Sequence, residues 1–220
     1  MEIMSSPAPS WQPSLLDGDR PALDPSFSSL MRIDLDEECW VDHAAGWVSG
    51  SDGLFDQIVS TTKWGQRTRR MFDKQVVEPR LTSSWNERSG TPLTPPILEE
   101  VRALLSARYG VRLDSMGMNL YRDGSDSVAW HGDRIAREIR APIVALVSLG
   151  CPRKFLLRPK GGGRSRAFEL GRGDLLVTGG RTQRLWQHSV PKVAAAGPRM
   201  SLAFRHGMAP AVYGRPDQSR

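Results

Sequence analysis

The sequence predicts an α+β fold, in which a mixed N-terminal part at about residues 31–115 packs on a β-rich core at about residues 116–208. One clear amphipathic helix, from Pro95 to Tyr109, precedes the core. After Gly110 the chain changes to short β-type runs that are separated by glycine-rich turns. Many short strands with regular turn spacing are typical of a β-sandwich or a barrel.

The composition favours one folded domain with accessory segments. The chain has 220 residues and a net charge of +6, with 30 Lys and Arg against 24 Asp and Glu. No run approaches the ~20 apolar residues that cross a bilayer, and the N-terminal segment has no hydrophobic signal region. Only Cys39 and Cys151 are present, so a disulfide scaffold and a thiolate zinc site are not expected. We therefore expect a cytoplasmic monomer without a membrane partner.

Both ends of the chain are expected to be tails. Residues 1–30 are rich in Ser and Pro and hold too little apolar surface to offset the entropy lost on ordering, which predicts a mobile segment. Residues 209–220 form the C-terminal tail. Order is expected to begin with the alternating run Met31–Leu35. A helix is expected near Asp52, with an apolar face formed by Leu54, Phe55, Ile58 and Val59.

The helix from Pro95 to Tyr109 has start and stop signals of its own. Thr94 is the predicted N-cap, and Pro95 suits the first turn because its fixed φ is helical. Gly110 supplies the left-handed residue that ends the helix. Its apolar residues repeat at helical spacing, and they are Ile97, Leu98, Val101, Leu104, Leu105 and Tyr109. This face should pack on a sheet.

The core is expected to contain seven short strands after Gly110. Their predicted ranges are Met116–Tyr121, Ile143–Leu149, Lys154–Leu157, Arg166–Leu170, Asp174–Thr178, Trp186–Val190 and Met200–Arg205.

Three candidate metal ligands lie in strand-like segments. His131 and Asp133 are two residues apart, so on a strand their side chains point to the same face. His188 lies in a second such segment. Two imidazoles and one carboxylate form the ligand set of non-haem Fe(II) oxygenases, which leaves positions open for a co-substrate and O₂. The alternative is a chance His-x-Asp pair in a structural role, the role we assign to His43 and His206.

Two arginines near the end of the core indicate an anionic ligand. Arg199 and Arg205 share one face of the last predicted strand, together with Ser201. Two guanidinium groups inside a barrel are costly unless they meet anions, and a dicarboxylate would supply them. Asn119 and Tyr121 lie on one face of another predicted strand and could complete its hydrogen bonds. Two surface arginines on an edge strand are the alternative.

Together these motifs resemble the AlkB family of Fe(II)/2-oxoglutarate-dependent dioxygenases, over about Met118 to His206. The segment Asn119–Asp133 resembles the family's NxYxxGxDxixwHxD pattern, and Pro142–Gly150 resembles its central strands. The ending Arg199–Arg205 carries the family's two-arginine pattern. The segments around His131 and Arg158 further suggest a bacterial, actinobacterial-like subgroup.

The resemblance implies a double-stranded β-helix core, of the jelly-roll or cupin type, with N-terminal helices and a nucleotide-recognition lid. It implies that His131, Asp133 and His188 bind Fe(II), with O₂ and 2-oxoglutarate as co-substrates. The residues implied for 2-oxoglutarate are Asn119, Tyr121, Arg199, Ser201 and Arg205, although the family often has Asn at position 201. The implied activity is oxidative demethylation of N-alkylated bases in DNA, with RNA as a further substrate, releasing succinate, CO₂ and an aldehyde.

The charge distribution favours a nucleic-acid partner. Basic residues outnumber acidic ones by six to two from Lys63 to Arg80, and by seven to one from Cys151 to Arg172. An ordinary solvated basic face is the alternative. The residues predicted to contact the alkylated nucleic acid are Phe72, Arg80, Trp85 and Arg158, and for Trp85 a packing role is an equal alternative.

One departure from the family pattern concerns base selection. Members that read exocyclic amino groups often carry an acidic residue two positions after the metal-binding aspartate, where this chain has Ile135. Two alternative functions therefore stay open at this point. One is a 2-oxoglutarate-dependent hydroxylase of a protein or small molecule, and the other is a non-catalytic β-sandwich that binds nucleic acid.

Overall fold

The computed structural model describes residues 20–71, 74–133 and 135–207. The helices of these residues are α1 (Ser51–Thr61), α2 (Ile97–Tyr109) and α3 (Thr182–Leu185). The strands before α2 are β1 (Ala22–Leu23), β2 (Met31–Asp34), β3 (Cys39–Ala44), β4 (Val48–Ser49), β5 (Thr68–Met71), β6 (Lys74–Val77) and β7 (Leu81–Asn86). The later strands are β8 (Ser115–Tyr121), β9 (Val128–His131), β10 (Val144–Gly150), β11 (Arg153–Pro159), β12 (Arg166–Leu170), β13 (Asp174–Gly180), β14 (Trp186–Val190) and β15 (Arg199–Arg205).

Two antiparallel sheets form the core of the described residues. The major sheet has seven strands in the order β2-β3-β13-β10-β15-β8-β7, and the minor sheet has four in the order β12-β11-β14-β9. Consecutive strands β8 to β15 thus pass repeatedly between the two sheets, as in a double-stranded β-helix. The seven predicted core strands all form, with ends within a few residues of their predicted positions.

Alternation along the strands of the major sheet separates two apolar layers. On β15, Met200, Leu202 and Phe204 point outward and pack with helices α1 and α2, whereas Ala203 points inward. The inner layer lies between the sheets and includes Leu146 and residues of β11 and β14. Because side chains alternate with period two, residues next to Ala203 on the inner face, Ser201 and Arg205, point into the barrel.

The two predicted helices form, but one predicted cap is wrong. The described α1 buries Leu54, Phe55 and Ile58 against the major sheet. The second helix begins at Ile97 rather than at Pro95, and its N-cap position is Pro96, which has no side-chain oxygen to accept a hydrogen bond. Thr94 therefore lies before the helix. Gly110 ends it with φ of 63°, as predicted.

Part of the segment predicted as an N-terminal tail is folded. Residues 20–30 carry β1, which pairs with β4, and Phe27, whose ring stacks on Trp47 at 5.5 Å between centroids. Phe27 is 8% exposed and belongs to the outer apolar layer. A single large aromatic residue thus anchors a Ser/Pro-rich stretch. Residues 1–19 and the predicted C-terminal tail at 209–220 lie outside the described residues.

The region predicted as a nucleotide-recognition lid contains the hairpin β5–β6. Among the residues that the structure describes, its two strands pair with each other and with no further strand, and Val76 and Val77 on β6 are exposed at 41% and 54%. Phe72, predicted to contact the substrate, lies outside the described residues. A lid function for this hairpin stays a prediction. Across the described ranges, no helix is long and apolar enough to span a membrane.

Candidate metal and carboxylate site

The three predicted metal ligands converge inside the barrel. One ligand atom each from His131, Asp133 and His188 lies within 4.8 Å of the others. His131 ends β9 and pairs in register with His188 on β14, and the two imidazole centroids are 4.2 Å apart. Asp133 follows two residues later, beyond the end of the strand. The antiparallel pairing of β9 with β14 therefore brings together residues that are distant in sequence.

Hydrogen bonding fixes which nitrogen of His131 is available. Its Nδ1 lies 2.8 Å from the carbonyl oxygen of Ala129. A carbonyl can only accept, so Nδ1 carries the proton and donates it. The lone pair of Nε2 is then free to bind a metal, an arrangement that is usual for ligating histidines.

His188 is held neutral by its surroundings. Its ring is 9% exposed and stacks on Phe155 with 5.2 Å between centroids. Burial lowers the pKa of His188 to about 4, and the Asp133 carboxylate only partly opposes this. The ring is therefore unprotonated near neutral pH and can donate a lone pair.

Asp133 is an ion-pair partner of Arg205. Arg205 Nη2 donates to Asp133 Oδ1 at 2.8 Å, and the two side chains are 15% and 9% exposed. Burial alone would raise the pKa of Asp133, but the charge of Arg205 lowers it to about 2. The carboxylate is thus ionised, and the ion pair uses one of its oxygens and leaves Oδ2 for a metal.

Arg199 supplies a buried positive charge to the same cavity. Its side chain is 0% exposed; Nε donates to the carbonyl of Leu170 at 3.2 Å and Nη2 donates to Ser148 Oγ at 2.6 Å. Nη1 is buried without a hydrogen-bond partner. Among the described residues, no carboxylate lies within ion-pair distance of Arg199. A buried guanidinium with an unpaired donor is the signature of a site for an anion.

Polar side chains surround this cation. Tyr121 pairs in register with Arg199, and Asn119 pairs with Ser201 on the same two strands. Asn119 Nδ2 lies 3.4 Å from Ser201 Oγ, and both residues line the cavity with Tyr121. Burial raises the pKa of Tyr121, so its hydroxyl keeps its proton and can donate to an anion. All five residues predicted to bind the dicarboxylate therefore line one cavity.

The residues predicted to contact the nucleic acid are placed in different regions. Arg80 lines the cavity, where Nε donates to Asn119 Oδ1 at 2.9 Å and Nη2 pairs with Glu78 at 2.9 Å. Trp85 instead packs with the outer apolar layer and donates to the carbonyl of Thr91 at 2.7 Å. These contacts match the packing role that was the alternative for Trp85.

Arg158 also lies away from the cavity. Phe155 and Leu157 on β11 point into the inner apolar layer, so Arg158 points to the opposite face of the minor sheet. Its guanidinium lies over the ring of Trp130 at 4.1 Å from the centroid. The parity of the strand, which the sequence displays, could have shown that Arg158 faces away from His188.

Two polar residues of the site were assigned no role by the sequence reasoning. Ser148, which accepts from Arg199, is a single hydroxyl within the otherwise apolar strand β10 and is 0% exposed. A buried hydroxyl of this kind requires a partner, which is a usable signal. Gln183 lines the cavity and is 5% exposed.

His206, as expected, has a structural role, because Nε2 accepts from the backbone N–H of Ile143 at 2.9 Å.

Gly117 gives Arg205 the space to reach Asp133. A Cβ placed on Gly117 would lie 2.6 Å from Arg205 Nη1, so Gly117→Ala should displace the guanidinium from Asp133. We expect this variant to bind divalent metal about tenfold more weakly, the scale seen when a partner of a metal ligand is lost. Calorimetric titration with Mn(II) measures it. Gly65→Ala is the control, since its Cβ would meet only Thr82 at 3.8 Å; equal affinities for the two variants would contradict the prediction.

Comparison with known proteins gives consistent results. The profile of the 2OG-Fe(II) oxygenase superfamily matches residues 45–206. Human alpha-ketoglutarate-dependent dioxygenase alkB homolog 3 is 33% identical over 177 residues, which is 72% of this chain and 62% of that protein. Human DNA oxidative demethylase ALKBH2 is 32% identical over 177 residues, covering 70% of this chain and 68% of that protein.

A plant relative and one solved structure extend these likenesses. DNA oxidative demethylase ALKBH2 of Arabidopsis thaliana is 32% identical over 190 residues, covering 69% of this chain and 60% of that protein. The solved structure of OsALKBH1 matches with a TM-score of 0.56 over 80% of this chain and 99% of that chain. Because the two sequences are only 17% identical, this match supports the fold alone. The chain spans about three fifths of the length of the alkB homolog 3 proteins it matches.

Proposed function

Because the chain belongs to the AlkB family of the 2OG-Fe(II) oxygenase superfamily, we propose that it oxidatively removes alkyl groups from nitrogen atoms of bases in DNA, and also in RNA. The products are the restored base, an aldehyde, succinate and CO₂. The observation that carries this proposal is the meeting, in one cavity, of the His131–Asp133–His188 cluster with the unpaired, fully buried Arg199.

The residues present fit Fe(II) and 2-oxoglutarate. His131, Asp133 and His188 offer two nitrogens and one oxygen, the ligand set that suits non-haem Fe(II). Bound there, the metal supplies O₂ activation coupled to oxidative decarboxylation of the keto acid. Arg199 would pair with the distal carboxylate, because its free Nη1 is a buried donor that lacks an acceptor. The hydroxyl groups of Tyr121 and Ser201 would donate hydrogen bonds to the same carboxylate.

The protein's own side chains would position the reacting groups and exclude water from the cavity. Asp133 is fixed in its charged form by Arg205, so Oδ1 stays bound to the guanidinium and Oδ2 would be available to hold the metal. His188 is fixed by the ring of Phe155. Apolar side chains of Val128, Leu146 and Val190 line the same cavity and limit the access of water.

A nucleic-acid substrate is supported by the names of the relatives and by charge near the site. Several relatives are DNA oxidative demethylases by name. Lys160, directly after β11, is exposed, and a Cβ on Gly132 would lie 3.8 Å from its Nζ. The Lys160 ammonium group therefore lies beside the segment that joins His131 to Asp133, where the phosphate of an entering nucleotide would meet it.

The test is incubation with oligonucleotides that carry N-methylated bases, in the presence of Fe(II), 2-oxoglutarate and O₂. We expect equal amounts of formaldehyde and succinate and a mass loss of one methylene from the oligonucleotide. Succinate formed without any change in a panel of methylated oligonucleotides would favour the hydroxylase of a protein or small molecule. Strongly salt-dependent binding without succinate would favour the non-catalytic alternative.

A variant of Lys160 tests the position of the nucleic acid. If Lys160 contacts one phosphate, Lys160→Ala should reduce the slope of log affinity against log salt concentration by about 1. Fluorescence anisotropy with a labelled methylated oligonucleotide measures this slope. Lys154→Ala is the matched control, because Lys154 is also exposed but lies at the opposite end of β11, across from Glu169. Equal slopes for the two variants would place the nucleic acid elsewhere.

A further inference from the structure

The short helix α3 connects β13 to β14, the strand that carries His188. Its residue Gln183 is 5% exposed and reaches toward the segment that carries Asp133. Gln183 Oε1 accepts a hydrogen bond from the backbone N–H of Asp133 at 3.3 Å. Gln183 Nε2 donates to Thr178 Oγ1 at 2.8 Å. The amide thus bridges β13 and the metal-ligand segment.

The partners of the Gln183 amide determine which way it faces. The Thr178 side chain is 2% exposed, and its hydroxyl donates to the carbonyl of Val144 at 3.4 Å. The backbone N–H of Asp133 can only donate, so it requires the oxygen of the Gln183 amide, while the Thr178 oxygen can accept from the NH₂ group. The NH₂ group of Gln183 must then face Thr178, and its oxygen must face Asp133. A defined chain of hydrogen bonds therefore runs from β10 through β13 to Asp133.

Asp133 needs this support because it lies outside the sheet. Strand β9 ends at His131, so Gly132 and Asp133 have no ladder partner on β14. The carboxylate of Asp133 is held by Arg205, and its backbone N–H is held by Gln183. One contact sets the direction of the side chain, and the other sets the position of the main chain from which it projects.

The residue after Gln183 holds the next part of the same segment. Arg184 Nη2 donates to two carbonyl oxygens, that of Ala136 and, at 2.7 Å, that of Ile139. Its Nη1 donates to the carbonyl oxygen of Ile135 at 3.4 Å. Helix α3 therefore contacts the chain at Asp133 and again from Ile135 to Ile139. Since α3 leads directly into β14, it joins the Asp133 segment to the strand of His188.

We propose that Gln183 is a positioning residue that sets the distance between the Asp133 carboxylate and the His188 imidazole, and so determines the affinity for the metal. The inference rests on the proposed function in that it requires a metal at this cluster. Gln183 acts through the backbone of Asp133 and contributes no ligand itself. Its loss should therefore weaken metal binding and leave the binding of 2-oxoglutarate by Arg199 intact.

The test is the dissociation constant for Mn(II), a redox-stable probe, measured by calorimetry with the full chain. Gln183→Met keeps the length of the side chain and removes both hydrogen bonds. We expect its dissociation constant to rise about 10-fold to 100-fold, the range found for lost outer partners of metal ligands. At saturating metal, the KM for 2-oxoglutarate should stay within about twofold, because the contacts of Arg199 are unchanged. Gln187→Met, on the opposite face of β14 from His188, is the control and should bind Mn(II) like the wild type.

A second pair of variants separates positioning from folding. Gln183→Glu keeps an oxygen that accepts from the N–H of Asp133, so it should bind Mn(II) more tightly than Gln183→Met. Thr178→Val retains Gln183 but removes the hydroxyl that anchors the Gln183 amide. The Mn(II) dissociation constant of this variant should rise by a smaller factor than that of Gln183→Met. If Gln183→Met does not fold, Thr178→Val decides the question, because its dissociation constant for Mn(II) should still exceed that of the wild type.

The outcomes are distinct. Wild-type affinity in folded Gln183→Met, or in Thr178→Val when Gln183→Met is unfolded, overturns the proposal and leaves the proposed function standing. A lower melting temperature of the metal-free protein, with unchanged Mn(II) affinity, would likewise reduce Gln183 to a structural role. Failure of the wild type to bind Mn(II) at all would overturn the proposed function itself, and this inference with it.

Discussion

Replacing His188 by Ala is expected to reduce 2-oxoglutarate turnover by at least about a thousandfold. Transition-state stabilisation by a bound metal is worth several kcal/mol, and a loss of about 4 kcal/mol corresponds to that factor. The His188 ring is packed between Phe155 and His131, so its removal leaves a gap in the inner wall and no replacement ligand at that position. Asp133 and Arg205 remain paired in the variant, so the protein should stay folded.

The measurements for His188→Ala are the Mn(II) affinity and the rate of succinate formation. His206→Gln is the control, since glutamine can also accept from the backbone N–H of Ile143 and His206 lies outside the metal cluster. The control should keep its Mn(II) affinity. If His188→Ala binds Mn(II) within about threefold of the wild type, the assignment of the metal cluster is wrong.

The second large effect is expected from Arg199→Met, which should raise the KM for 2-oxoglutarate by about a hundredfold or more. Removing one member of a buried ion pair costs about 3 kcal/mol or more, and each 1.4 kcal/mol is a factor of ten. Methionine approximates the length of the arginine without its charge. The variant would leave the distal carboxylate of the ligand facing Tyr121 and Ser201 without a cation.

The same substitution should not lower the stability of the ligand-free protein. Burial lowers the pKa of Arg199, which means that its charge is unfavourable there when no anion is bound. Nη1 has no partner in that state, so an apolar side chain of similar volume removes a cost that offsets the lost hydrogen bonds to Leu170 and Ser148. We expect an unchanged or higher melting temperature without 2-oxoglutarate, and no further increase when 2-oxoglutarate is added.

Differential scanning fluorimetry with and without 2-oxoglutarate, together with steady-state kinetics, checks both halves of this expectation. Arg112→Met is the control, because Arg112 is an exposed arginine that pairs with Glu87. Its KM should equal that of the wild type. A variant Arg199→Met that is still stabilised by 2-oxoglutarate as the wild type is would remove Arg199 from the co-substrate site.

The sequence predicted those parts of the molecule that depend on local periodicity. The alternation in Arg199–Arg205 placed Arg199, Ser201 and Arg205 on one face, and the structure has that face inside the barrel. His131 and Asp133 were also expected near one point and do converge, although Asp133 lies beyond the end of β9 and not on the strand assumed for it. Two-residue periodicity is a property of any extended strand, so the face on which a side chain lies does not depend on distant segments of the chain.

The parts that could not be predicted depend on contacts between distant segments. The ion pair of Arg205 with Asp133 requires the exact separation of β15 from the loop after β9, which no local pattern encodes. Gln183 acquires its role only because α3 lies beside Asp133. Trp85 was ambiguous because an aromatic residue next to a basic region suits both a base-stacking role and the packing that the structure has.

The burial of Arg199 has a consequence for the order of events in a catalytic cycle. With 0% exposure, this guanidinium lies deep in the cavity that the partly exposed His131 also lines. A flipped base seated over His131 would close that cavity to solvent. On the proposed function, the keto acid would then bind before the nucleic acid, and succinate would leave after it.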